Sequence, residues 1–307
     1  MRQNKDIGEI MISRSQLFCV LLLSRLSAEI VFPQTGDFSI AGFASALAAE
    51  GICFLLALPV LLYSVGGRSV YGSIKSRSKV LGIISGSVSA VILLLMSLKT
   101  ALYSAEFAQR TLLGGMSGAV MFVLVALFAL YSAGKGAEGI ARAGALILVA
   151  GAVITLVVVV ADIPHIHVRE LPGAELDDVF VRQVVERMMR CGEYLAFAAL
   201  LPYVRPKEDS LGCGATGFLF ALASVAGTVL IMLFNIGVLG EFTAAADYPF
   251  IASAQLADIA LFKRLDGFLG AIWSLAAAMR CALLLFSAYA VVRVVFERKK
   301  KTERRSI

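Results

Sequence analysis

The sequence predicts an all-α membrane protein crossing a bilayer about eight times, and three observations predict it. Apolar residues are in excess, they are grouped into long runs, and Lys and Arg are unevenly placed between those runs. Apolar residues make up 59% and charged residues 16% of the 307, against about half and about a quarter in soluble globular domains. Such a chain has too little polar surface to face water on all sides. A span needs roughly 20 mostly apolar residues, and the length accommodates eight of them with short connections. The whole chain, 1–307, therefore reads as one membrane domain.

In chain order the apolar runs fall at about 16–33, 40–65, 80–106, 116–133, 143–161, 191–204, 213–239 and 267–296. Breaks such as Gly66-Gly67-Arg68 and Gly114-Gly115 separate them. The first run lacks a clear small-x-small cleavage site and leads into further spans, so it is kept as a span rather than a signal peptide. Between the fifth and sixth runs, Val181, Val184, Val185 and Met188 recur at helical spacing among Asp177, Arg182, Glu186 and Arg187, which predicts an amphipathic helix running into the sixth span. The stretch 241–263 predicts a short hairpin on the same side of the membrane.

Positive charge retained in cytoplasmic loops sets orientation. With an even span count and the N-terminus inside, the cytoplasmic segments collect Arg2, Lys5 and Arg14; Arg68, Lys75, Arg77 and Lys79; Lys135 and Arg142; Arg205 and Lys207; and the basic tail 297–307 with Arg298, Lys299, Lys300, Lys301, Arg304 and Arg305. Both termini are thus expected in the cytoplasm. The formal charge of +6 lies mostly in that tail, where it reads as an anchor at a lipid surface and not as a nucleic-acid footprint. The five cysteines, Cys19, Cys53, Cys191, Cys213 and Cys281, are scattered singly without metal spacing and read as small buried hydrophobes.

Charged side chains deep in a bilayer cost about 2.5 to 3.5 kcal/mol each, so they face a bundle interior or a cavity. Glu29, Glu50, Lys99, Glu106, Glu193 and Arg280 are of this kind. Structural pairing or snorkelling accounts for Lys99, Glu106 and Arg280 as readily as ligand binding does. Glu29 and Glu193 stand out because small residues precede them, in Ser27-Ala28-Glu29 and Cys191-Gly192-Glu193. Small residues beside a mid-span acid are where a helix can unwind and offer backbone groups to a ligand, so spans one and six are expected to be discontinuous, as in an inverted-repeat transporter. Lys99, Tyr103, Glu106 and Arg110 share one face of the third span, with Lys99 and Tyr103 the half that reaches the same cavity. The candidate ligand-binding residues are therefore Ser27, Ala28, Glu29, Lys99, Tyr103, Cys191, Gly192 and Glu193. His165 and His167 lack the further ligands a metal would need and read as surface histidines. No nucleophile elbow, phosphate loop, zinc signature or paired catalytic carboxylates occur, so neither an enzyme nor a cofactor is expected.

Several segments together resemble the endospore germination permease family, the membrane-embedded B subunit of nutrient germinant receptors, within the amino acid/polyamine/organocation transporter superfamily. The most specific is Arg264-Leu265-Asp266 followed by an apolar run to Trp273, preceded by Tyr248-Pro249. Ile12 to Leu17 with Pro33, the Lys135 to Arg142 linker with Glu138 and Arg142, and Gly192-Glu193 to Val204 are similar in the same order, so the likeness runs from about 7 to 296. Arg264, Asp266, Trp273, Glu138 and Arg142 are its structural-motif residues. Two features depart from the family pattern. Arg25-Leu26-Ser27-Ala28-Glu29 replaces a Gly-rich first span, so that Glu29 is expected to repel a ligand carboxylate unless it is protonated or is paired, with Arg25 one turn earlier as a candidate partner. The chain also lacks the last two helices of the usual ten.

The resemblance implies a transporter-like subunit that senses a small nutrient such as an amino acid, in a cell membrane or spore inner membrane, with germinant receptor A and C subunits as partners and no role for nucleic acid. A proton-coupled secondary amino-acid transporter using Glu29 or Glu193 is the alternative, and a membrane scaffold without ligand binding the second alternative.

Overall fold

The computed structural model describes residues 11–33, 40–63, 70–167, 178–205, 213–257 and 265–296. Arg264, the basic tail 297–307 and the loop cations Arg68, Arg169, Lys207 and Lys263 lie outside these residues. Among the described residues the architecture is all-α. The helices are α1 (Arg14–Val31), α2 (Ile40–Tyr63), α3 (Val70–Arg77), α4 (Lys79–Thr111), α5 (Gly118–Gly134), α6 (Gly136–Asp162), α7 (Asp178–Met188), α8 (Glu193–Leu200), α9 (Cys213–Leu239), α10 (Pro249–Leu256) and α11 (Leu265–Phe296).

Five of them, α2, α4, α6, α9 and α11, are long and apolar enough to cross a membrane, and the chain is an all-α, multi-pass membrane protein. α5 is apolar but shorter. The elements read from sequence as spans one and six are of a different kind. α1 is 18 residues long and carries Arg25 and Glu29 on its buried side, whereas α8 has only eight residues before a 3-10 turn, Leu201–Tyr203.

α11 is the axis of the bundle. In its most apolar window 78% of the residues are buried, against 17–33% in the other four long helices, so α11 is wrapped by protein while the others present one side outward. It packs most extensively on α4, then on α6, α5 and α1. Small residues make that closeness possible. A methyl group at Gly86 of α4 would sit 2.2 Å from Val295 Cγ2, and one at Gly217 of α9 would sit 2.3 Å from Leu61 Cδ2 of α2. On the outer side of α4, Val80, Ile84, Val88, Val91, Leu95, Leu98 and Leu102 form an exposed stripe at helical spacing. In water this stripe would be a large sticky patch; in hydrocarbon it is the solvent-facing surface.

α7 departs in part from the expected pattern. Val184 is buried against α2 as expected, but Gln183 is buried beside it, its Oε1 accepting a hydrogen bond from Ser45 at 3.2 Å, while Val181 and Val185 are exposed on the side that also carries the Arg182–Glu186 pair. Gln183 turns inward because a buried amide needs a protein partner, which Ser45 supplies. Of the stretch 241–263 expected as a hairpin, the described part holds a 3-10 turn, Gly240–Ala244, and α10, which starts at Pro249, a favoured first helical position; 258–263 lie outside the described residues.

At one end of the bundle the start of α1 is tied to the end of the α8 segment. Ile12 N–H donates to Tyr203 C=O at 2.9 Å and Arg205 N–H to Ile12 C=O at 3.1 Å. α1 begins on Ser13, whose hydroxyl accepts from Gln16 N–H while Gln16 Oε1 accepts from Ser13 N–H, a reciprocal cap. These ties bring α1 and α8 side by side in opposite directions.

Gly86→Leu is expected to lower stability by about 1–3 kcal/mol through overpacking against Val295. Gly267→Ala, with nothing near its added methyl, should leave the unfolding temperature of the detergent-solubilised protein unchanged or slightly raised. Equal unfolding temperatures for the two variants would contradict the close α4–α11 contact.

Candidate functional site

α7 and α8 are separated by an interruption over residues 189–192. At the interruption the backbone tightens. Arg190 N–H bonds to Arg187 C=O and Cys191 N–H to Met188 C=O, three residues back rather than four. Gly192 then precedes α8 at a close approach, since an added methyl would lie 2.6 Å from Met96 Sδ of α4 and 3.2 Å from Leu284 Cδ2 of α11 and would push those side chains aside. An interrupted helix leaves carbonyls at its end short of the usual i+4 partners. Here side chains add to the two shortened backbone contacts. Arg280 Nη2 donates to Arg190 C=O at 2.6 Å, Cys191 Sγ donates to Arg187 C=O at 3.4 Å and Cys53 Sγ lies 3.9 Å from Met188 C=O.

Around this break the bundle buries three arginines and three glutamates, with the partly buried Arg187 beside them, in two linked groups. In the first, the wholly buried Glu193 accepts from Ser24 Oγ at 2.7 Å and pairs with Arg280. Arg280 also donates from Nη1 to Ser24 C=O at 2.7 Å and from Nε to Thr100 Oγ1 at 3.3 Å. In the second, Arg25 bridges two acids, lying 2.6 Å from Glu29 on its own helix and 2.5 Å from Glu50 of α2. Glu50 accepts from Ser224 at 3.2 Å and lies 3.5 Å from the Tyr194 hydroxyl, while Arg187 lies 3.8 Å from Glu29. Adjacent residues of α1, Ser24 and Arg25, join the two groups.

An aromatic cover adjoins them. Phe32, just past the end of α1, has the guanidinium carbons of Arg280 and Arg190 at 5.5 and 5.7 Å from its ring centre, with the Tyr103 ring 4.8 Å away. Lys99 Nζ stands 5.5 Å from the Tyr103 ring centre. Arg190 donates to Pro33 C=O at 3.3 Å. Each cation–ring contact is worth about 0.5–2 kcal/mol, the higher figure where water is excluded.

The structure brings Glu29, Lys99, Tyr103, Cys191, Gly192 and Glu193 into this region. Ser27 and Ala28 are there in a different role. The discontinuity expected in span one at Ser27-Ala28-Glu29 is absent, because α1 runs unbroken to Val31. Ser27 Oγ turns back to Ser24 C=O at 2.8 Å, Ala28 C=O accepts from Phe32 N–H at 3.3 Å, and the Arg25–Glu29 pair spans one helical turn, so every group that would favour unwinding is satisfied within the helix. The polar stripe of α4 divides. Lys99 and Tyr103 face the aromatic cover, while Arg110 pairs with Glu106 at 2.7 Å and with Asp247 in a half-exposed outer cluster. Of the motif residues, Trp273 is buried in the core, Asp266 stands in the first turn of α11, and Glu138 pairs with Arg142.

Glu50, Arg187, Arg190, Ser24, Phe32, Thr100, Tyr194 and Ser224 are additional members. Glu50 carried a usable signal, as the single charge in the second apolar run. The serines, Thr100 and Phe32 carried none, since their residue types are ordinary in membrane helices.

A family model described as "Spore germination protein" matches residues 50–305 of the chain. No curated protein matches it at a significant level.

Removing one member of a buried ion pair strands the other and costs about 3–5 kcal/mol, whereas replacing both with apolar residues costs far less. Arg280→Met alone is therefore expected to destabilise the purified protein strongly, and Arg280→Met combined with Glu193→Leu to recover much of the loss. Additive effects in thermal unfolding would show that the two side chains are not coupled.

Proposed function

This chain belongs to the spore germination protein family, and we propose that it serves there as the transporter-like membrane subunit of a germinant receptor. On this reading it senses a small nutrient, an amino acid in the first instance, and relays binding to the receptor's A and C subunits as a movement of helices. In this reading α1, α5 and the interrupted α7–α8 pair complete eight crossings of the cell membrane or spore inner membrane, with both termini cytoplasmic.

The observation that carries the reading is the Glu193–Arg280 pair at the helix break. Glu193 Oε2 is buried without a hydrogen-bond partner among the described residues, while Arg280 holds three other elements through Ser24, Thr100 and Arg190. An amino acid offers one ammonium and one carboxylate, the same two charges as the internal pair. Its ammonium satisfies Glu193 and its carboxylate competes for Arg280, so bound and free states keep similar charge pairing and differ in which helices Arg280 ties together. A ligand shifts a conformational equilibrium only through such a difference in contacts. Glu29 fits this account in a supporting place. Its charge is already matched by Arg25, so it does not repel the ligand carboxylate.

The unpartnered Glu193 oxygen also favours a second reading, a proton-coupled secondary amino-acid transporter in which Glu193 gains and loses a proton as Arg280 leaves and returns.

In spores carrying this chain with its partner subunits, Glu193→Gln and Arg280→Lys are expected to raise the nutrient concentration for half-maximal germination at least tenfold, with the protein still present in the membrane. In proteoliposomes, labelled amino acid is expected to bind without accumulating inside. Accumulation would replace sensing by transport, and unchanged germination in both variants would leave only a scaffold role.

A further inference from the structure

Charge is not balanced around the helix break. Arg25, Arg187 and Arg280 each lie within ion-pair distance of Glu29, Glu50 or Glu193. Arg190, only 9% exposed, has no such acid among the described residues. Its Nη2 donates to Pro33 C=O at 3.3 Å and its guanidinium carbon stands 5.7 Å from the Phe32 ring centre. The acids near it in the chain are engaged elsewhere, Glu186 with Arg182 and Glu193 with Arg280. Fastening Phe32 and Pro33 to the break is a sufficient role for one donor, and a neutral glutamine would supply it. It does not require a buried positive charge, which neither a carbonyl nor a ring cancels. Arg280 stands over the same ring at 5.5 Å, and like charges in water-poor surroundings repel unless an anion sits among them.

We propose that Arg190 is a second anion-binding group of the ligand site, and that the nutrient it selects is a dicarboxylic amino acid. The assignment rests on the proposed sensing role of the Glu193–Arg280 pair. With the ligand's ammonium at Glu193 and its α-carboxylate at Arg280, the side-chain carboxylate turns across Phe32 to Arg190. There the open donors of the guanidinium fork take it in paired, charge-assisted hydrogen bonds. The two guanidinium carbons lie 5.5 and 5.7 Å from one ring centre, a separation that a short dicarboxylate spans. Lys99, partly buried beside Tyr103 and also without an acid among the described residues, adds to the positive potential next to the same rings. A neutral zwitterion leaves Arg190 unmatched. An acidic amino acid brings one net negative charge, which is what Arg190 lacks.

The test measures equilibrium binding of labelled glutamate, glutamine, aspartate, asparagine and alanine to the full chain in proteoliposomes. Within each acid–amide pair the shape is nearly constant and one charge differs. In at least one pair the acid is expected to bind roughly tenfold or more tightly than its amide. Arg190→Gln is expected to bring that ratio to about one, and Arg190→Lys, which keeps the charge without the fork, to retain part of it. A purely structural role for Arg190 does not move the ratio between acid and amide. The unsubstituted chain tests the proposal even where Arg190→Gln does not fold. Equal affinities within both pairs would overturn the second subsite and leave the zwitterion site in place. A ratio that survives Arg190→Gln would take the role from Arg190. Absence of binding by all five amino acids would instead overturn the sensing role itself, and the subsite with it.

Discussion

Arg280 is the residue on which the arrangement depends. From the centre of α11 its planar fork donates to Ser24 and so to α1, to Thr100 of α4, to the Arg190 carbonyl at the helix break and to Glu193 of α8. Guanidinium suits this position because it offers five donors in fixed directions and keeps its charge when dehydrated. A lysine would supply the charge without the geometry. Withdrawing Arg280 leaves a buried carboxylate, an open backbone carbonyl and two hydroxyl-bearing helices without a common partner.

The bilayer explains why so much polarity is concentrated in one place. Hydrocarbon offers no hydrogen bonds, so each charge and each interrupted backbone group needs an internal partner. Three arginines and three glutamates solve the problem jointly, each acid shared between donors from different helices. The outer surface is correspondingly apolar, with a stripe of valine, isoleucine and leucine turned outward on α4. Because the partners are shared, a change at one member propagates by simple electrostatics, without any special pathway through the packed apolar core.

The same economy makes the break at 189–192 usable. A continuous helix satisfies its own backbone and has little to gain from rearrangement. The interrupted one relies on Arg280 for its Arg190 carbonyl, so its state depends on whatever else Arg280 can bind. On the proposed sensing role, a zwitterion competes for that guanidinium at the junction where α1, α2, α4, α8 and α11 meet.

Composition and periodicity alone determined that the chain is an α-helical membrane protein, that Glu29 and Glu193 are out of place in apolar surroundings, and that the sixth run is interrupted at Cys191-Gly192. These follow from local physics: apolar length, charge against hydrocarbon, and small residues that let a helix yield. The pairing of Glu29 with Arg25 was also legible, because one helical turn separates them. Tertiary structure alone decided the rest. It kept α1 whole at Ser27-Ala28-Glu29, turned Gln183 of α7 inward and Val181 and Val185 outward, and made Arg280 the partner of Glu193. Each of those outcomes depends on which side chains from distant segments arrive at the same point, and spacing along one helix carries no information about what faces it from another.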